Sequence, residues 1–241
     1  MVDPVFSSRI GPRLAGRTIG LPRLAPPPVR ASDLKEIDLL LVTHAHFDHL
    51  DKPTLRAMAS PRTVVIVPTM CARSIPPGFG RVIELPSGQT ADVAGLQVTA
   101  IEPNHWGARA MIDRGRRVNS YLVQSRRSSI LFAGDTARTD AFREVTDVDV
   151  AVFGIGAYEP WDHMHATPEQ VWAMFEAIGA RRLLPVHHST YELSDEPLDE
   201  PMRRLLKAAG DSRCRVLMCE PGEVLVIPRE ADQEPEGAVA G

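Results

Sequence analysis

The sequence predicts a layered α/β protein, on three observations. Short aliphatic and β-branched runs bounded by turn residues recur at 37–42, 63–67, 96–101, 118–123, 129–133, 148–153 and 183–186. Amphipathic helical segments stand between the later runs, so strands come first and then strands mixed with helices. No internal repeat or linker divides the 241 residues, a length that suits one sizeable domain, expected over 1–228.

The elements can be justified in order. The first 35 residues are expected to be loop-rich, because Pro22, Pro26, Pro27 and Pro28 break regular structure; only Val2 to Phe6 suits a short strand end. Ile37 to Val42 is nearly all apolar, as in a strand covered on both faces. Asp51-Lys52-Pro53 opens a short helix that carries Leu55 and Met58. Strands are expected at Thr63 to Val67, Val82 to Leu85, Leu96 to Ile101, Val118 to Val123, Ser129 to Ala133 and Val148 to Phe153. Thr167-Pro168-Glu169-Gln170 is a capping box with proline at the first helical position. Val171, Met174, Phe175 and Ile178 form that helix's apolar face, and Gly179 ends it. Leu183 to Val186 is a strand, and a helix from Pro201 to Ala209 ends at Gly210. Val216 to Met218 and Val224 to Ile227 read as closing strands, and 229–241 as a disordered acidic tail.

Composition excludes several classes. A net charge of -4 gives no argument for nucleic acid, and the one basic cluster, Arg114-Gly115-Arg116-Arg117, reads as a solvated loop. Three cysteines without a CxxC point to a reducing compartment, with Cys214 and Cys219 expected as buried small hydrophobes near a strand. No signal peptide and no membrane-length apolar run is visible, so the cytoplasm is the default location.

The chemistry concentrates in His44-Ala45-His46-Phe47-Asp48-His49, joined by Thr43 to an apolar strand. Imidazole is the commonest zinc ligand, and carboxylate oxygen completes such sites. His44 and His46, two apart at a strand end, project to one side. Asp48 and His49 follow after the chain turns and address a second point, so one motif offers ligands to two ions. Further candidates stand just past other apolar strands: His105 after Ile101, Asp135 after Ala133-Gly134, and His187 after Val186. Strand ends are where α/β proteins place their chemistry. No P-loop or G-x-G-x-x-G suggests a nucleotide.

With H-x-H-x-D-H followed by His, Asp and His, the chain resembles the metallo-β-lactamase superfamily. It is most similar to its N-acyl-phosphatidylethanolamine phospholipase D-like and ascorbate-phosphate lactonase-like hydrolases. Further shared marks are His105-Trp106-Gly107-Ala108-Arg109, Ala133-Gly134-Asp135-Thr136, Ile155-Gly156-Ala157-Tyr158, His165-Ala166-Thr167-Pro168-Glu169-Gln170 and His187-His188-Ser189-Thr190-Tyr191. The resemblance implies a four-layer αββα sandwich, here with its N-terminal strands short or missing. It implies that His44, His46 and His105 would hold one metal, and Asp48, His49 and His187 a second. Asp135 would bridge both, together with a water or hydroxide. The two divalent ions would be zinc by default, with manganese or iron as superfamily variants. Asp3-Pro4 resembles an early Asp-Pro whose carboxylate supports a ligand histidine, and His165 resembles a histidine that faces substrate; either His165 or a metal-bound water would protonate the leaving group. His187-His188 departs from relatives that carry tryptophan and glycine after the ligand, so His188 either faces the pocket or fills the tryptophan's space.

The expected activity is hydrolysis of a phosphodiester in a small or lipid-like molecule. A lactone is the nearest competitor, and an iron-dependent redox enzyme of the same superfamily is the alternative of another class. Retention of all seven ligand positions argues against a one-iron dioxygenase and against a non-catalytic scaffold. An unpaired sheet edge favours a homo-dimer.

Overall fold

In the computed structural model, residues 1–34, 36–109, 113 and 115–227 are described. The predicted acidic tail and Arg114 lie outside them. Two short antiparallel pairs come first, β1 (Arg9–Ile10) with β4 (Leu21–Pro22) and β2 (Arg13–Leu14) with β3 (Arg17–Thr18). Next come β5 (Leu39–Leu41), α1 (Lys52–Met58), β6 (Val64–Val67), β7 (Arg81–Glu84), β8 (Thr90–Val93) and β9 (Leu96–Ile101). Then follow β10 (Ser120–Gln124), β11 (Ser129–Gly134), β12 (Val150–Gly154), α2 (Pro168–Ala177), β13 (Arg182–Val186) and α3 (Glu200–Ala209).

Two sheets face each other. The first is parallel, in the order β5-β6-β7, and Met1–Asp3 runs beside β5 through a bridge between Val2 and Leu41. The second has six strands in the order β13-β12-β11-β10-β9-β8, antiparallel from β8 to β11 and parallel from β11 to β13. Strand alternation sorts the core into three layers. Leu39, Leu41 and Ile66 meet Val98, Ala100 and Tyr121 between the sheets. Leu40, Val42 and Val65 turn the other way, onto Leu55 and Met58 of α1. Leu131, Ala133, Ala151, Phe153 and Leu183 pack on α2 and α3 through Val171, Phe175 and Leu205. The result is the helix–sheet–sheet–helix order expected.

Helix ends follow the predicted chemistry. Thr167 accepts from Gln170 N while the Gln170 side chain accepts from Thr167 N, and Pro168 occupies the first turn. Asp51 precedes α1 and accepts from Thr54 Oγ1 and Ser7 Oγ, both at 2.5 Å.

Several expectations need correction. Val216–Met218 and Val224–Ile227 form no strands: Val216 makes a single parallel bridge to Leu183, and Val224 and Val226 are each 85% exposed. The first segment touches β13 only there, with Leu217 N donating to Leu183 O at 2.7 Å, and the second pairs with no strand among the described residues. Cys214 and Cys219 are exposed, because the chain after α3 turns through a 3-10 segment, Gly210–Arg215, on the surface. Arg116 is buried, donating to Asp113 and, at 2.6 Å, to Ser74 Oγ, so the basic cluster is not simply a solvated loop. Strands β1 to β4 and β8 were not legible, since their exposed faces carry no apolar period.

Tyr121 ties the sheets together. Its buried hydroxyl donates to Val42 O at 2.9 Å, at the end of β5 where the histidine motif begins. Tyr121→Phe leaves that carbonyl without this donor and is expected to lower unfolding free energy by about 1–3 kcal/mol in urea titration.

Candidate metal centre

The C-terminal ends of β5, β9, β11 and β13 converge on one edge of the sandwich, and each delivers a polar side chain there. His44, His46, Asp48 and His49 follow β5, His105 follows β9, Asp135 follows β11 and His187 follows β13. The structure brings all seven together as two groups whose ligand atoms lie within 4.8 Å of one another: His44, His46, His105, Asp135, and Asp48, His49, Asp135, His187. Asp135 belongs to both. In the first group His44 Nε2 lies 2.9 Å and His105 Nε2 3.4 Å from His46 Nδ1. In the second, His187 Nε2 lies 3.3 Å from Asp48 Oδ2 and 3.4 Å from Asp135 Oδ1, and His49 Nε2 lies 3.1 Å from Asp135 Oδ2.

Outer contacts decide which ring nitrogen faces inward. The Asp3 carboxylate accepts from Thr43 N at 2.7 Å, from Thr43 Oγ1 at 2.5 Å and from His49 Nδ1 at 2.7 Å. With its proton given to Asp3, Thr43 Oγ1 is left to accept from His44 Nδ1 at 3.0 Å. His105 Nδ1 donates to Met164 O at 3.0 Å. Each of these three histidines therefore turns Nε2 to the centre, the nitrogen that a neutral imidazole with its proton on Nδ1 offers to a cation.

The backbone is shaped to the same end. Gly134 has φ +61°, and a Cβ there would stand 3.0 Å from the Thr43 side chain, so glycine allows β11 to close against the motif just before Asp135. His187 itself has φ 60°, a region costly for a non-glycine residue. Arg109 passes behind the motif. Its guanidinium donates to Ala45 O at 2.7 Å and to Leu50 O at 2.8 Å, and lies 4.1 Å over the Phe47 ring.

The chemistry of the donor set fits divalent cations. Burial works to raise the carboxylic pKa of Asp48 and Asp135, yet the surrounding histidines hold both below the usual carboxylate range. Burial, with His105 next, pushes His46 down to about 4, and burial with His49 and His46 holds His44 well below the usual imidazole range. His49 and His187 are raised, because Asp135 and the other carboxylates around them outweigh burial. Buried His49 Nε2 and Asp135 Oδ2 have no hydrogen-bond partner; their 3.1 Å approach lacks the required geometry. Anionic carboxylates and imidazole nitrogens that converge in a buried site, with Asp135 Oδ2 and His49 Nε2 left unpartnered, suit a cation that displaces the protons of the raised histidines.

Two cavities open on the centre. One, about 440 Å³, is lined by His46, Asp48, Asp135, His165 and His187, with Trp106 and Trp161 half-exposed at its sides. His165 is thus in the pocket, beside His105 and His187. Burial pushes it down to about 4, so it is a neutral imidazole near pH 7. The other cavity, about 420 Å³, is lined by Phe132, Val152, Leu184 and Val186 of the second sheet and reaches Asp48, His49 and His187. His188 lines this apolar cavity, and its Nδ1 lies 3.1 Å from Ser189 Oγ. Sequence reasoning missed Trp161, Met164 O and the role of Arg109. The H-W-x-x-R spacing signalled Arg109 without saying that it braces the motif from behind.

Fold and site together define a member of a known superfamily. The chain belongs to the beta-lactamase superfamily, whose family described as Beta-lactamase superfamily domain matches residues 1–188. It is 32% identical over 235 residues to an uncharacterized protein of Mycobacterium tuberculosis (strain ATCC 25618 / H37Rv), covering 92% of this chain and 62% of that one. It is 29% identical over 222 residues to the mitochondrial N-acyl-phosphatidylethanolamine-hydrolyzing phospholipase D of Saccharomyces cerevisiae, covering 85% of this chain and 47% of that one. The chain thus spans about half to three fifths of the length of these relatives. The crystal structure of isothiocyanate hydrolase from Delia radicum gut bacteria superposes with a TM-score of 0.69 at 16% identity, over 94% of this chain and 91% of that one, and shares the fold.

Asp3 fixes three donors at once, so its removal tests this arrangement. Asp3→Ala is expected to lower affinity for divalent metal about 10–100-fold in a chelator competition titration.

Proposed function

We propose that the protein is a dinuclear metal-dependent hydrolase acting on a phosphodiester in a lipid-like molecule. The observation that carries this reading is the pair of four-residue clusters sharing Asp135. His44, His46 and His105 would hold one ion and Asp48, His49 and His187 the other, with Asp135 shared between the two groups. Zinc is the proposed metal, supported by five imidazoles and two carboxylates as donors. Two divalent ions bound there supply Lewis acidity and bring the pKa of water toward neutrality.

The chain's own residues do the rest. Asp48 lines the open pocket beside Asp135 and His187, where its carboxylate accepts a hydrogen bond from the attacking water and orients it. His165, a neutral imidazole, donates one N–H toward the leaving oxygen rather than acting as a cationic acid. Trp106 and Trp161 confine the substrate from the sides. The yeast relative is named for hydrolysis of N-acyl-phosphatidylethanolamine. The apolar cavity beside the metals, about 420 Å³, supports a substrate carrying an acyl chain. Unpaired, exposed Cys214 and Cys219 support a reducing, cytoplasmic setting. Among the described residues no helix is long and apolar enough to cross a membrane.

The test joins metal content to turnover. Purified protein is expected to hold about two zinc ions per chain and to hydrolyse bis-p-nitrophenyl phosphate. A His46→Ala, Asp135→Ala double variant is expected to lose at least about 100-fold in kcat together with its metal. A single iron per chain, or turnover of a simple lactone with none of the phosphodiester, overturns the reading. A separate expectation concerns the wall: Trp161→Ala raises KM for an acylated phosphodiester several-fold, with little change in kcat, in steady-state assays.

A further inference from the structure

We propose that the N-terminal hairpin, with the cationic cleft at its base, docks the protein onto an anionic phospholipid surface. Between Asp3 and Asp33 the sequence has five arginines, Arg9, Arg13, Arg17, Arg23 and Arg30, and no aspartate or glutamate, in a chain whose net charge is -4. Three of them, Arg9, Arg13 and Arg17, lie in the hairpin itself, whereas Arg23 follows its base and Arg30 pairs with Asp33 at 3.1 Å.

The hairpin is built to project. Strands β1 and β4 form its base and β2 and β3 its tip, turning at Ala15-Gly16. Gly11 and Gly20 face each other where base meets tip, and a Cβ on either would stand about 2 Å from a carbonyl oxygen of the opposite strand, so only glycine permits the crossing. Leu14 is 67% and Ile19 55% exposed, with Leu21 and Leu24 also open. Cross-strand partners share a face, so Leu14 stands beside Arg17 and Arg13 beside Thr18. Arg9 and Arg13 donate to the backbone carbonyls of Gly20 and Gly16, which leaves their charge unneutralised. Exposed leucines flanked by arginines bury their apolar parts among acyl chains while the guanidinium groups meet lipid phosphates.

The cleft extends the same chemistry toward the metals. It encloses about 320 Å³ and is lined by Arg13, Lys52, Arg56 and Arg109, with Phe47 at its side. The carboxylate that lines it, Asp51, is buried and engaged by Ser7 and Thr54. Burial and then Arg109, Arg116 and Arg56 lower the pKa of Lys52, as an excess of positive potential requires. Phe47 lies between His46 and Asp48, which line the metal pocket, so the cleft backs onto the same turn that carries the candidate ligands. The base of the hairpin is tied to the His187 segment, through Leu24 N to Thr190 O at 3.0 Å and Arg23 to Tyr191 Oη at 3.1 Å. Docking therefore sets the metal pocket close to the lipid surface.

Vesicle co-sedimentation of the full chain tests this without any turnover, so the result is independent of which bond the centre cleaves. The protein is expected to pellet with phosphatidylcholine vesicles containing about 30% phosphatidylglycerol, and to be released in about 0.5 M salt. An Arg13→Glu, Arg17→Glu variant is expected to bind at least about 30-fold more weakly, and Leu14→Asp several-fold more weakly, with unchanged unfolding midpoints. Equal binding to phosphatidylcholine alone, no binding to the anionic vesicles, or full binding by either folded variant overturns the proposal. Should the variants not fold, the vesicle composition and salt arms decide it on the native chain.

Discussion

Seven ligand side chains buried within a few ångströms of one another are an unfavourable arrangement for a protein interior, and the rest of the fold exists to enforce it. Burial resists charge on every member, and carboxylates crowd each other where water is scarce. The conflict is resolved only by cations or by protons, and the outer shell arranges the first. Asp3, Thr43 and Met164 commit the protons of His49, His44 and His105 to outward hydrogen bonds. Inward, only lone pairs remain.

This commitment depends on backbone that cannot give. The motif is held from the core side by Tyr121 on Val42 O and from behind by Arg109 on Ala45 O and Leu50 O. One contact comes from β10 and the other from the loop after β9, so the second sheet braces a ligand turn that the first sheet carries. Preorganisation of this kind reduces what ligand binding must spend on ordering side chains.

Much of this was legible in the sequence because the signals are local. An apolar strand followed by His44 to His49, the capping box at Thr167, and His105, Asp135 and His187 after strands each carry their own pattern. The four-layer order followed from the resemblance those residues support. What was hidden is long-range or faces solvent. Arg109 looks like any surface arginine until the fold slides it under Phe47. The hairpin over β1 to β4 has no apolar period because it packs on little, so prolines and glycines read as loop. Val224 and Val226 show the opposite error: strand-like alternation needs a neighbour, and among the described residues no strand pairs with them. Cys214 and Cys219 were misplaced by the same mistaken strand.

The candidate ligands come from positions 44 to 187 by way of four strand ends, and that spread has a temporal consequence. During synthesis the first cluster lacks only Asp135 once His105 has emerged, but the second stays open until β13 docks on β12 and brings in His187. Loop closure over such separations comes late and is entropically costly. The second group is thus assembled only when β13 has joined the sheet beside β12, so its geometry depends on the whole of that sheet edge.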